Sequence, residues 1–158
     1  MQLARAGEQC SYFGAIGRDE AGRWTRQALI ENHVSVACLQ ELDAPTAYTD
    51  IDVDAAGERF IAFEDFGTSA LYAPTPADLQ QLATLDHIHI GWFKASAALR
   101  QALNGNPVSF SQDIAVNPDA AWLDVGFESV GPSEQLARAA LQRLQASGCR
   151  VAVVTCGA

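Results

Sequence analysis

Few groups in this chain combine residue type and spacing in a way that could carry chemistry. Gly14, Gly17 and Gly22 punctuate Ser11-Tyr12-Phe13-Gly14-Ala15-Ile16-Gly17-Arg18-Asp19-Glu20-Ala21-Gly22, where an apolar run passes through a glycine turn into a charged helix start. Backbone N–H groups at such a joint can receive a phosphate. The spacing here is looser than a dinucleotide fingerprint requires, so the three glycines read as backbone joints that accept positive φ and let chains approach. His87 and His89 alternate with Ile88 and Ile90 and so share one strand face. A metal pair there would lack a third ligand at suitable spacing, and histidines hydrogen-bonded beneath helices are expected instead. Cys10, Cys38, Cys149 and Cys156 form no close pair like a zinc knuckle or redox motif and read as buried, reduced side chains. The sequence has no Gly-x-Ser-x-Gly elbow and no Cys/His arrangement that supports covalent catalysis.

The elements that must hold these residues alternate along the chain. Residues 10–17 read as one buried strand. Asp19 then caps a helix whose inward face carries Trp24, Ala28 and Leu29, and which ends near Asn32-His33. Residues 34–39 return as a short extended segment. Tyr48, Ile51 and Val53, then Asp54-Ala55-Ala56-Gly57, then Arg59-Phe60-Ile61-Ala62-Phe63 give a β-hairpin over residues 46–63 with one wetted face. A helix starts at Pro74-Thr75-Pro76. His87-Ile88-His89-Ile90-Gly91 is a strand leading to a helix over 95–104, and Pro107-Val108-Ser109-Phe110-Ser111 is a strand leading to a helical turn over 119–123. Val125-Gly126-Phe127-Glu128-Ser129 leads to a helix over 133–146, with Leu136, Ala139, Ala140 and Leu144 inward and Gly148 closing it. Arg150-Val151-Ala152-Val153-Val154-Thr155 is the last strand. Strands separated by helices predict an α/β fold with a mostly parallel sheet.

The chain has 158 residues, 49% of them hydrophobic, enough for one domain with its own core. Net charge is −9 and Lys94 is the only lysine, which leaves no basic stripe for nucleic acid or anionic lipid. No stretch approaches the roughly 20 apolar residues of a membrane span. No nucleic-acid or membrane partner is expected, and a cytoplasmic location is the default.

The segment from Ser11 to Gly22 resembles the "fiGxvGxDxxG" stretch of the PfkB (ribokinase-type) sugar kinases. The run from Thr46 to Phe63, the Phe63-Glu64-Asp65-Phe66-Gly67 segment, Pro74-Thr75-Pro76 and His87-Ile88-His89-Ile90-Gly91-Trp92 follow in the family's order. Within it the chain is most similar to the fructoselysine 6-kinase group. The resemblance implies a partial ribokinase-like three-layer α/β sandwich over residues 1–158, with helices on both sheet faces and residues 46–63 as a β-hairpin lid. It implies ATP and Mg²⁺ as cofactors, a sugar or glycated amino acid as substrate, and a homo-oligomer joined through the lid.

Residue by residue, Val130-Gly131-Pro132-Ser133-Glu134 resembles the "NxxE" motif, with Glu134 in place for magnesium and Gly131 where the family has asparagine. Hydrated Mg²⁺ suits such a carboxylate, whose alternative duty is to complement the helix dipole. Val153-Val154-Thr155-Cys156-Gly157 resembles "vvTxGxxG", which implies that Thr155 and Gly157 line the nucleotide phosphates. Tyr48, Trp92 and Asp113 are the candidate substrate contacts. Packing explains Tyr48 and Trp92 equally well, and a turn cap explains Asp113. Nothing in the 158 residues resembles the family's "DTxGAGD", the source of its aspartate base and its anion hole. The chain is therefore expected to correspond to the middle of a kinase and to be inactive alone, with a noncatalytic binding module as the alternative.

Overall fold

Three helices begin where an oxygen-bearing side chain precedes an amphipathic run. Asp19 accepts the Gly22 N–H at 2.8 Å and opens α2 (Glu20–Glu31), which follows the short α1 (Gln2–Arg5). Thr75 opens α4 (Pro76–Leu82) with a reciprocal box, its hydroxyl accepting the Asp78 N–H while the Asp78 carboxylate accepts the Thr75 N–H. Ser133 caps α6 (Glu134–Ala146) by accepting the Leu136 N–H at 3.3 Å. α6 then closes on Gly148 at φ 88°, with Gly148 N–H on Gln145 C=O and Cys149 N–H on Leu144 C=O, the bond pair of a Schellman end.

The computed structural model describes residues 1–115 and 117–157. Where the sequence points to one domain, contacts fall into two compact units, Met1–Pro74 and Thr75–Ala158.

In the first unit the single strand expected over 10–17 is two pieces. β1 (Cys10–Ser11) pairs in parallel with β3 (Val34–Ser35), and β2 (Gly14–Gly17) pairs in parallel with β4 (Leu39–Leu42). The paired segment turns between β3 and β4, where Leu39 N–H bonds Val36 C=O, and the break passes across the pairing. The core joins Ala4, Ile16, Leu29, Val34 and Leu39. α2 does not bury the face expected: Gly22 and Leu29 are inside, whereas Ala28 is exposed and Trp24 is 67% exposed. Its inward stripe is set by what Gly22 and Leu29 meet, not by the positions of its largest apolar residues.

A hairpin of β5 (Tyr48–Val53) and β6 (Arg59–Asp65) leaves this unit, with α3 (Gly67–Leu71) after it. Asp54 holds the turn, its carboxylate accepting Ala56 N–H at 2.8 Å and Glu58 N–H at 2.9 Å. One wetted face is expected from the sequence, yet every residue from Tyr48 to Val53 is exposed. The register shifts between Asp50 and Ile51, so Asp50 faces Phe63 while Ile51 faces Ile61. That bulge changes the parity of β6: Phe60 and Phe63 join Tyr48 on one face, and Ile51, Val53 and Ile61 take the other.

The hairpin's base is crowded. Asp19 Oδ1 accepts the Thr46 hydroxyl at 2.6 Å, Asp19 Oδ2 accepts Thr46 N–H at 2.8 Å, and Thr46 Oγ1 accepts Gly17 N–H at 2.8 Å. A Cβ on Gly17 would lie 2.4 Å from Ala44 O, and one on Gly22 would lie 2.2 Å from Gly17 O. The glycines of the opening segment are there for close approach; neither has positive φ. The Thr46 hydroxyl, then the Thr46 and Gly22 N–H groups, hold the Asp19 carboxyl down to about 2. A carboxyl lowered by folding stabilises above its unfolded value and loses that contribution as pH falls through its folded value. Between pH 3.8 and about 2 the native chain is therefore expected to lose more stability than an Asp19→Asn chain, as read by urea denaturation at stepped pH.

In the second unit, β7 (His87–Ile90), β8 (Ser109–Asp113), β9 (Val125–Ser129) and β10 (Val151–Thr155) form a four-stranded parallel sheet in sequence order. A sheet that grows in one direction by right-handed crossovers receives its connecting helices on one face. Accordingly, Arg100 of α5 (Ser96–Ala102) reaches Gln112, and Leu144 of α6 lies over Gly126, two residues paired in register. Ile88, Ile90 and Phe110 are buried on that side. α6 buries Ala137, Ala140 and Leu144, whereas Leu136, expected inward, is 56% exposed. The segment expected to make a helical turn over 119–123 is a plain turn, with Leu123 N–H on Ala120 C=O.

Arg100 is fully buried. Its Nε donates to Ala121 C=O at 2.8 Å, Nη2 to Asp119 C=O at 2.9 Å, and Nη1 to Gln112 Oε1. Gln112 in turn donates to the Asn117 and Asp119 carbonyls, and the Asn117 side chain donates to Gly91 C=O and accepts from Phe93 N–H. This polar centre secures the loop after β8 and the turn after β7, at the carboxyl ends of both strands.

Candidate functional site

β9 and β10 end together, with Ser129 opposite Thr155 in register and their hydroxyls 2.6 Å apart. Val130 N–H donates to Thr155 C=O at 3.0 Å, which ties the loop after β9 to the end of β10. Gly131 at φ 68° and Gly157 at φ 65° follow, and a Cβ on Gly157 would stand 3.6 Å from Gly131 Cα. Both glycines sit in the left-handed region that other residues rarely enter, so the two loops meet as bare backbone beside a pair of exposed hydroxyls. Such a surface offers O–H and N–H donors to an oxygen-rich ligand.

Glu134 follows at the first position of α6, largely exposed, with Arg138 one turn on donating to its carboxylate through Nη2 at 2.5 Å. The structure brings Thr155, Gly157 and Gly131 together and sets Glu134 three residues beyond Gly131, at the start of α6. Ser129 is a candidate residue that the sequence alone did not single out. Its signal was available: a hydroxyl residue closing a strand whose parallel neighbour also ends in a hydroxyl residue.

Asp113 ends β8 and its Oδ1 accepts Ala115 N–H at 2.9 Å, the turn-cap role weighed from sequence. Trp92 is half-buried in the turn after β7 that Asn117 secures. Tyr48 lies on the hairpin with its ring centroid 5.7 Å from that of Phe63.

His87 and His89 share a face, the one opposite α5 and α6, so neither of those helices covers them as expected. Ser109 Oγ donates to Asp86 C=O at 2.9 Å, so His87 Nδ1 donates to Ser109. A neutral His87 then accepts from Ser111 through Nε2, and His89 Nδ1 donates to that same Ser111 oxygen. The serines thus fix both tautomers and stitch β7 to β8. Burial holds His89 below the ordinary imidazole range, helped by His87 and opposed by Asp113. Among the described residues no group of three or more His, Cys, Asp or Glu side chains could hold a metal ion. Of the cysteines, only Cys149 is buried; Cys156 beside Thr155 is exposed, and all four thiols are free.

Donor groups gathered outside the carboxyl ends of parallel strands are the ligand-binding layout of an open α/β sheet. Comparison with known proteins narrows the class. The family model described as "pfkB family carbohydrate kinase" matches residues 1–105, and the chain belongs to that family. It is 36% identical over 62 residues to the aminoimidazole riboside kinase of Salmonella typhimurium strain LT2, covering 39% of this chain and 19% of that kinase. The ribokinase of Thermotoga maritima superposes with TM-score 0.72 at 18% identity, over 96% of this chain and 56% of that one. A putative ribokinase II from E. coli, in complex with ATP and Mg²⁺, superposes with TM-score 0.73 at 17% identity, over 98% of this chain and 58% of that one. The fold is therefore ribokinase-like, and the chain spans little more than half the length of these solved kinases.

Proposed function

We propose that these residues form the lid and part of the nucleotide site of a PfkB-type sugar kinase, which transfers the γ-phosphate of ATP to a hydroxyl of a sugar or of a glycated amino acid such as fructoselysine. The observation that carries this reading is the meeting of Thr155 and Gly157 with Ser129 and Gly131 at the ends of β10 and β9, in a chain of this family. Hydroxyls and unhindered backbone N–H groups suit phosphate oxygens. The donor set also fits magnesium: Glu134 is an exposed carboxylate at the start of α6, just after that loop, and a hydrated Mg²⁺ takes few protein ligands. Bound there, the ion would neutralise polyphosphate charge that a chain of net charge −9 does not attract. Glu134 would have to leave Arg138 to serve it, an exchange of little cost for an exposed pair.

On this reading Trp92 and Asp113, at the ends of β7 and β8, are the candidate acceptor contacts of the second unit, and Tyr48 on the hairpin is the candidate of the first. Apolar side chains on both hairpin faces would be covered by a second hairpin in a homodimer. The cytoplasm is the proposed location. Phosphoryl transfer also needs a general base and an anion hole, and no stretch of the 158 residues resembles the family's segment for them. The 158-residue chain is therefore expected to bind Mg·ATP and leave it intact. Calorimetric titration with product analysis tests both halves: saturable binding, weakened about tenfold by Thr155→Val for the loss of one charge-assisted bond, and no ADP formed with ribose, fructose or fructoselysine present. Absence of binding would overturn the reading, and turnover of ATP would overturn the expectation that these 158 residues leave it intact.

A further inference from the structure

The β5–β6 hairpin has no lateral support. Residues from Tyr48 to Val53 and from Arg59 to Glu64 are exposed on both faces, so the direction in which it projects is set at its stems. Those stems are tied to each other and to β2: Thr68 N–H donates to Pro45 C=O at 2.8 Å, and the Thr68 hydroxyl, fully buried, donates to Ala15 C=O at 3.1 Å. At the first stem, Thr46 is 7% exposed and its hydroxyl works in both senses, donating to Asp19 and accepting from Gly17 N–H. A carboxylate only accepts, so the orientation of this hydroxyl is fixed. The same Asp19 carboxylate takes Thr46 N–H and the Gly22 N–H of α2. One side chain thus joins strand end, helix start and hairpin stem, and a Cβ on Gly67 would stand 2.2 Å from Pro45 O, so the second stem presses on the first.

We infer that Asp19 and Thr46 form a latch that fixes the direction of the β5–β6 hairpin, with Thr46 as its positioning residue. Asp19 supplies three acceptor contacts, and the Thr46 hydroxyl passes the constraint of the first stem on to β2 through Gly17 N–H, as the Thr68 hydroxyl does for the second stem through Ala15 C=O. The bearing of this latch on an acceptor beneath the hairpin rests on the kinase reading; the latch itself does not.

The experiment is backbone ¹⁵N relaxation and amide exchange on the full 158-residue chain without ligand, comparing Thr46→Val, Thr46→Ser and Asp19→Asn. Thr46→Val keeps the shape and removes the hydroxyl. Its hairpin amides are expected to fall from order parameters of about 0.85 to below about 0.6, with α2 and β4 unchanged and Gly17 N–H exchanging about tenfold faster. Thr46→Ser restores native values, and Asp19→Asn reproduces the Val pattern because its amide group meets the Thr46 N–H as a second donor. Hairpin order equal to the native chain in Thr46→Val, failure of Thr46→Ser to rescue, or loss of order shared equally by α2 and β4 would each overturn the latch. No ligand enters, so failed nucleotide or sugar binding leaves this result standing, and a failed latch leaves the kinase reading standing.

Discussion

An Arg100→Met chain is expected to lose about 4 kcal/mol of stability. Methionine matches the aliphatic stem and fills much of the space, so the loss is electrostatic. The half-buried Ala121 and Asp119 carbonyls and the fully buried Gln112 Oε1 each lose a donor that no nearby group replaces. Arg100→Lys is expected to recover only part, since one ammonium cannot follow the fork that serves a side-chain oxygen and two backbone carbonyls. Truncating Arg138 to Ala is the contrast: its pair with Glu134 is exposed, and the change is expected to stay within about 0.5 kcal/mol. Urea denaturation of the three variants measures all of this. A loss for Arg100→Met below about 1 kcal/mol would show that the buried centre does not hold the loops at the ends of β7 and β8.

Gly22→Ala is the second large effect, and here two arguments predict opposite signs. Gly22 is inside α2, where alanine is intrinsically better by about 1 kcal/mol. Its added Cβ would stand 2.2 Å from Gly17 O and 2.9 Å from Thr46 Oγ1. The first of these is backbone of β2, which cannot turn aside as the end of a flexible side chain can. Strain of overpacking is about 1–3 kcal/mol and more where backbone must move, so a net destabilisation of about 3 kcal/mol is expected. Chemical denaturation of the variant decides between the two. A gain in stability would mean that α2 and β2 are further apart than described.

These two residues also show where the sequence was readable and where it was not. Asp19, Thr75 and Ser133 were legible as helix starts because a cap and its N–H partner lie three residues apart. The hairpin was legible from Asp54-Ala55-Ala56-Gly57, but not its bulge, since the extra residue at Ala62 shows only against the opposite strand. The inward faces of α2 and α6 were misjudged because Trp24 and Leu136 are apolar and still outside, their helices being oriented by residues distant in sequence. Gly17 and Gly22 were recognised as joints, but their neighbours, Ala44 to Thr46, lie more than twenty residues away. Arg100 did carry a faint signal, standing between Ser96 and Leu103 on the stripe that α5 turns inward. At the candidate site, Thr155, Gly157 and Glu134 are placed by resemblance alone; the nearness of Thr155 and Gly157 to Ser129 and Gly131 requires the parallel pairing of β9 with β10.

The ends of β9 and β10 are proposed to receive the phosphates of a nucleotide. Titrating Mg·ATP into the ¹⁵N-labelled chain and following its amide resonances addresses it most directly. The expected result is a saturating set of shifts centred on Ser129, Val130, Gly131, Glu134, Thr155 and Gly157, with the hairpin and the loop around Arg100 unmoved. Shifts centred instead on the Gly14–Gly22 joint, or none at millimolar nucleotide, would contradict it.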